Sequence, residues 1–269
     1  MLAGELGETG TGVGRGPLAL RSTECGRGRP VVLIMGINAD AGAWAPHTEQ
    51  WQRSFRCIAV DNPGAGGSPA PTGPDTTAAI ADDYAALIDL LRLGPVAVVG
   101  ISMGGAVAQE LALRHPELVE RLVLVASWAR CDAYTDTVLE VIAALREQGS
   151  PAEFTAHLQS LVWTPRWFDE HADELRTQRS AELSVSASAL VGQVAACRTH
   201  DTVDRLGAIA VPTLVTAGGA DRFVPVEVSR ALARGIPDAV FELFADTGHV
   251  HHWEEVGRFN DLVEAWLRG

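Results

Sequence analysis

The chain has 269 residues, 47% of them hydrophobic and 20% charged, enough apolar material for one large α/β domain or two small ones and too much for global disorder. Its 34 acidic and 21 basic residues give a formal net charge of −13, a field that opposes nucleic acid and anionic membrane surfaces and favours a neutral small-molecule partner. All 21 basic residues are arginine, which excludes lysine chemistry such as Schiff bases and P-loop phosphate binding.

The first sixteen residues, MLAGELGETGTGVGRG, are rich in Gly and polar residues and read as a frayed arm. They carry no apolar stretch after a basic segment, so a signal peptide is not expected. No apolar run reaches membrane-spanning length. The run Val31 to Met35 reads as a strand, followed by a helix around Trp44 to Arg53. Arg56 to Val60 is the next strand, and a helix near Thr76 to Leu91 follows. Val96 to Val99 then precedes a helix from about Ser102, which must stop near His115 because Pro116 cannot continue it. Leu122 to Val125 is a further strand. After it, from about Ala129 to Leu206, strand patterns vanish and helical spacing such as Val138, Val141, Ile142 and Leu145 takes over. The strand–helix rhythm resumes with Pro212 to Thr216, a helix after Pro225, Val240 to Leu243 and a final helix from about Trp253.

β-Branched runs without polar alternation suit strands buried on both faces, and their alternation with helices predicts a doubly wound, mostly parallel α/β sheet. Residues 1–129 and 206–269 would form this core and 130–205 an inserted helical cap. Cys25, Cys57, Cys131 and Cys197 form no C-x-x-C pair, so neither a disulfide framework nor a zinc site is expected. A cytoplasmic location follows as the expectation.

The chemistry gathers at three points. Gly100-Ile101-Ser102-Met103-Gly104 is a G-x-S-x-G sequence between a strand and a helix, where a sharp turn lifts the serine hydroxyl to the rim of the sheet. The glycines are needed because that turn crowds the positions two before and two after the serine. A serine hydroxyl needs a base, and the base needs an orienting acid. Asp221 follows the strand ending near Thr216, and His249 follows the strand ending near Phe244, so both belong to the same sheet edge as Ser102. Asp132 and Asp136 are alternative acids near the strand ending at Ala126. A metal cluster of His249, His251 and His252 lacks supporting Asp or Glu spacing, so no metal is expected. His251 and His252 are instead expected as flanking residues at the site mouth or on the surface. Gly64-Ala65-Gly66-Gly67 lacks the full nucleotide-loop pattern and reads as a tight loop after a strand.

With these motifs in view, the chain resembles the α/β-hydrolase superfamily from about residue 17 to 269. The matching segments are Leu33-Ile34-Met35-Gly36, Asp61-Asn62-Pro63-Gly64-Ala65-Gly66-Gly67-Ser68, Gly100 to Gly105, Gly219-Ala220-Asp221 and Gly248-His249 with Trp253-Glu254. It looks most like the small capped enzymes: enol-lactonases, cofactor-free perhydrolases and polyketide methylesterases. The resemblance implies an eight-stranded sheet, a Ser102–His249–Asp221 triad, and an oxyanion hole made of the Ile37 and Met103 backbone N–H groups. Where many relatives carry His-Gly, this chain has Met35-Gly36-Ile37-Asn38, so Asn38 is either an added donor toward substrate or a turn-forming residue. Trp128, directly after a strand at the active edge, is the expected pocket aromatic, while Trp163, Trp167 and Phe168 serve either pocket or cap packing.

The activity expected is hydrolysis of a carboxylic ester or lactone of a small, largely apolar molecule, without cofactor. The partners left are that substrate and at most a second copy of the chain, with neither nucleic acid nor membrane. The same triad could serve carbon–carbon bond hydrolysis, acyl transfer or cyclisation. A lyase using His249 alone and a catalytically silent binding module are the readings from other classes.

Overall fold

The computed structural model describes residues 19–71 and 75–269. The N-terminal sixteen, expected as a frayed arm, lie outside the described residues. In chain order the elements are β1 (Ser22–Gly26), β2 (Arg29–Ile34), α1 (Ala45–Trp51), β3 (Phe55–Val60), α2 (Thr77–Leu90), β4 (Val96–Ile101), α3 (Met103–Arg114) and β5 (Val119–Val125). Five helices follow: α4 (Ala133–Gln148), α5 (Pro151–Val162), α6 (Pro165–Glu170), α7 (Ala172–Gln178) and α8 (Ala187–Thr199). The chain closes with β6 (Thr213–Gly218), α9 (Val226–Gly235), β7 (Val240–Phe244), α10 (His251–Glu254) and α11 (Val256–Arg268).

The strands form one sheet in the order β1-β3-β2-β4-β5-β6-β7, with β1 antiparallel to β3 and every other pairing parallel. The sheet thus has seven strands among the described residues, one fewer than the resemblance implies. β1 and β7 are its edges, and no further described segment pairs with either. Alternate residues of each central strand feed two separate cores. Val32, Ile34, Val98 and Leu122 pack with Ile80 and Tyr84 of α2 and with Val107 and Leu111 of α3. Val31, Leu33, Val99 and Val123 pack with Trp51 of α1 and with Phe259 and Val263 of α11. Double-sided burial is why these strands read as unbroken apolar runs.

The strand order reverses direction between β2 and β4, which are neighbours with Ile34 opposite Gly100. The loops leaving these two strands therefore diverge, and the crevice between them is where open parallel sheets bind ligands. The close approach there depends on glycine. A Cβ on Gly104 would collide with the Ile34 carbonyl oxygen and come 2.7 Å from that of Met35, and a Cβ on Gly100 would strike the Gly104 carbonyl. Gly104→Ala is expected to cost about 3 kcal/mol, because the clash is with backbone that cannot repack; the midpoint of urea unfolding reads it.

Candidate active site

Ser102 sits between β4 and α3 with φ 56° and ψ −116°, a strained conformation for a residue with a Cβ, worth roughly 1–3 kcal/mol. The neighbours hold it there. Its N–H donates to the Val125 carbonyl (2.8 Å), and its own carbonyl accepts from Ser127 Oγ (2.9 Å). The side chain is 3% exposed and lines a cavity of about 160 Å³. His249 lines the same cavity from the loop after β7.

Asp221 lies in the loop after β6 and is buried. Its Oδ1 accepts from the backbone N–H of Phe223 (2.7 Å) and Val224 (2.9 Å), which fixes the carboxylate plane. Oδ2 then accepts from His249 Nδ1 at 2.7 Å. Because a carboxylate only accepts, Nδ1 carries a proton, and in the neutral ring Nε2 keeps its lone pair. Phe223 covers the imidazole with ring centroids 4.8 Å apart. The two alternative acids are engaged elsewhere: Asp132 caps α4 through Thr135 N–H (2.8 Å), and Asp136 pairs with Arg198.

Gly36 ends the β2 loop so close to the elbow that a Cβ there would be 3.2 Å from Ser102 Cβ. Ile37 and Asn38 follow and line the cavity. Met103 opens α3, where the first amides have no partner inside the helix. The Asp61–Ser68 segment braces this loop. Asp61 accepts from Ala41 N–H and Gly67 N–H (both 2.8 Å), and Asn62 donates to the Met35 carbonyl (2.8 Å) while accepting from Tyr84 (2.8 Å). Gln193 of α8, unforeseen in the sequence, accepts from Asn38 N–H (3.0 Å) and donates to the Pro63 carbonyl (3.2 Å), tying the inserted helices to the same loop. Asn38 has φ 57°, and its Oδ1 is buried without a partner.

Three expectations need correction. Trp128 does not line the cavity: it is buried in the helix-side core, where Gln109 of α3 holds its carbonyl (3.0 Å) and draws this segment against α3. The surface reading of His251 and of His252 does not hold: both are buried, and His252 lines the cavity beside Ser102 and His249. His251 is buried against Thr216 Oγ1 (2.9 Å) and His252 against His47 (3.0 Å), because α10 turns inward over α11 rather than out to solvent. Their contacts diverge, and among the described residues no group of three or more His, Cys, Asp or Glu is arranged to hold a metal.

Leu158 and Val162 of α5 and Trp253 of α10 complete an apolar ceiling. Trp163 and Trp167 do not line the cavity; they stack 5.1 Å apart, and Trp163 stacks on Trp253 at 5.8 Å, holding the inserted helices to α10. Glu254 reinforces this seam by accepting from Thr164 N–H (2.9 Å), Thr164 Oγ1 (2.8 Å) and Gly248 N–H (3.2 Å). Glu254→Ala leaves three donors at the base of the His249 loop without their acceptor, so a loss of about 2–3 kcal/mol in urea unfolding is expected. Glu254→Gln, which keeps one acceptor, should lose less.

A strained serine at the switch point of a parallel sheet, with an acid–histidine pair on the same rim, defines the hydrolase class built on this sheet. Residues 29–256 match the alpha/beta hydrolase fold family, and the chain belongs to that family. RutD of Azorhizobium caulinodans, named as a carbamate hydrolase, is 31% identical over 216 residues, 80% of this chain and 82% of its own. A thermophilic esterase from Thermogutta terrifontis superposes with a TM-score of 0.84 at 29% identity, covering 93% of each chain. The enol-lactonase from Burkholderia xenovorans LB400 shares the fold, with a TM-score of 0.86 at 24% identity over 94% of this chain and 100% of its own. The protein is a hydrolase acting on small molecules. No described helix is long and apolar enough to cross a membrane.

Proposed function

We propose that the protein is a serine hydrolase that cleaves a carboxylic ester or lactone of a small, largely apolar molecule through an acyl-enzyme on Ser102. The observation that carries this reading is the Asp221–His249 hydrogen bond, which occupies Nδ1 of a histidine that lines the same cavity as the strained Ser102. Residues 130–205 act as a cap whose α5 roofs that cavity.

Ser102 Oγ attacks the carbonyl carbon as His249 Nε2 takes its proton. The imidazolium is stabilised by Asp221, and the oxyanion is held by the N–H groups of Ile37 and Met103, each worth roughly 3–4 kcal/mol to the transition state. Collapse expels the alkoxide, which leaves with the proton from His249. A water then gives its proton to His249 and attacks the acyl carbon, and the second collapse returns that proton to Ser102 and frees the acid. Serine at the nucleophile position, rather than aspartate, sets this chemistry apart from alkyl-enzyme formation on a carboxylate.

The test is labelling with a fluorophosphonate probe, followed by p-nitrophenyl esters and lactones of increasing bulk. The unaltered protein should label and turn over the small members, and Ser102→Ala should do neither. An unaltered protein that resists the probe and consumes none of the substrates would refute the reading.

A further inference from the structure

We infer that His252 presents a hydrogen-bond acceptor in the wall of the cavity, a subsite for a hydroxyl or an amide or carbamate N–H carried by the substrate. The inference rests on the proposed function only in taking this cavity as the substrate site.

A chain of three hydrogen bonds sets the polarity. Asn260 Nδ2 donates to the Pro46 carbonyl at 3.1 Å, which can only accept, so Asn260 Oδ1 must face the other way. There it meets His47 Nδ1 at 2.6 Å, which therefore carries a proton. His47 is fully buried among Trp44, Trp51, His252 and Phe259, and that burial lowers its pKa to about 4, so the ring is neutral and its Nε2 is an acceptor. His252 Nδ1, 3.0 Å away, must then be the donor. Burial lowers the His252 pKa as well, with His47, His251 and His249 as the nearby rings that oppose its charge. One proton per ring leaves His252 Nε2 unprotonated.

That nitrogen has no partner among the described residues. His252 is 1% exposed, and Nε2 is buried without a hydrogen bond. His252 lines the cavity, and because the two nitrogens of an imidazole point away from each other, Nε2 is the ring nitrogen turned from the His47 contact. A buried acceptor left unpaired costs free energy until a ligand satisfies it, and the site rejects an isostere that cannot. The cavity's lining is otherwise mostly apolar, and its other unpaired buried polar atoms are Asn38 Oδ1 and Trp253 Nε1. A substrate matched to this wall carries at least one donor on an otherwise apolar body.

The experiment measures binding without chemistry, in the Ser102→Ala protein, by calorimetry. The ligands are methyl esters of small acids bearing a hydroxyl, an oxo or a methyl group at carbon 2 or carbon 3. These three groups are of similar size; the first donates, the second only accepts, and the third does neither. The hydroxyl ester should bind about tenfold more tightly than both others at one or both positions. Adding His252→Phe should erase that preference while leaving the methyl ester within about threefold. Nitrogen-15 NMR of the protein with histidine intact keeps the idea testable if the Phe variant does not fold. His252 Nε2 should resonate as an unprotonated ring nitrogen and shift with the hydroxyl ester but not the methyl ester. Equal binding of all three ligands at both positions, preference for the oxo ester, or a protonated Nε2 would each overturn the subsite. None of these readouts requires a reactive Ser102, so failure of fluorophosphonate labelling in the unaltered protein counts against the proposed hydrolysis alone.

Discussion

Replacing Ser102 by alanine is expected to lower kcat by about 10⁶-fold on any ester the protein hydrolyses, and Asp221→Asn by about 10⁴-fold, with both proteins still folded. The first number follows from the proposed acyl-enzyme, which cannot form without the Ser102 hydroxyl. The second follows from the tautomer. An Asn at 221 that keeps its oxygen toward the Phe223 and Val224 amides must turn its NH₂ toward His249 Nδ1. Two donors cannot share that contact, so the histidine proton moves to Nε2, the atom that receives the serine proton in the proposed mechanism. An amide turned the other way restores the histidine bond but breaks two backbone bonds in a buried loop. Steady-state rates on a p-nitrophenyl ester, with circular dichroism to establish folding, check both numbers. An Asp221→Asn protein within tenfold of the parent would show that another group orients the base.

The parts of this architecture that the sequence reveals are those set by local rules. Five central strands are legible because burial on both faces demands unbroken apolar runs, the edge strand β7 by its place in the strand–helix rhythm, and α3 ends at Arg114 because Pro116 forbids its continuation. The elbow is legible because only glycine survives at Gly100 and Gly104. By contrast, β1 is an edge strand of sequence STECG, half exposed and without apolar alternation, so no pattern betrays it. The final helix is really two, α10 and α11, split at Glu255, whose φ of −125° breaks the run without a proline or glycine to mark it. The fates of Trp128, His252, Gln193 and Glu254 depend on contacts 19 to 205 residues away in sequence. Side-chain type gives no hint of those partners. The histidine pair after His249 reads as flanking the site mouth or lying on the surface, and only the fold of α10 shows that both rings are buried.

That burial carries the second large expected effect, on stability in mild acid. Desolvation lowers the pKa of His47 and of His200 to about 4 and of His251 to about 3, and holds His252 well below its ordinary value. In the unfolded chain each ring takes a proton near pH 6.5. Above that pH all four are neutral in both states and contribute no pH dependence. As the pH falls from about 6.5 toward 4, the unfolded chain binds protons that the folded protein refuses. Stability is therefore lost on acidification, by up to about 1.4 kcal/mol per pH unit for each ring. Four such rings would remove on the order of 10 kcal/mol by pH 4, comparable to the total stability of an ordinary domain. The urea midpoint should accordingly be flat above pH 7 and fall steeply between pH 6.5 and 5, with a linkage slope of more than two protons. His200→Asn, whose amide takes the place of Nδ1, can keep a hydrogen bond to Thr77 Oγ1 while removing one titrating ring, and it should lower that slope by about one proton. An unfolding midpoint unchanged between pH 7 and 5 would mean that these rings take up their protons within the folded state, and the polarity of the His47–His252 chain would then change with pH.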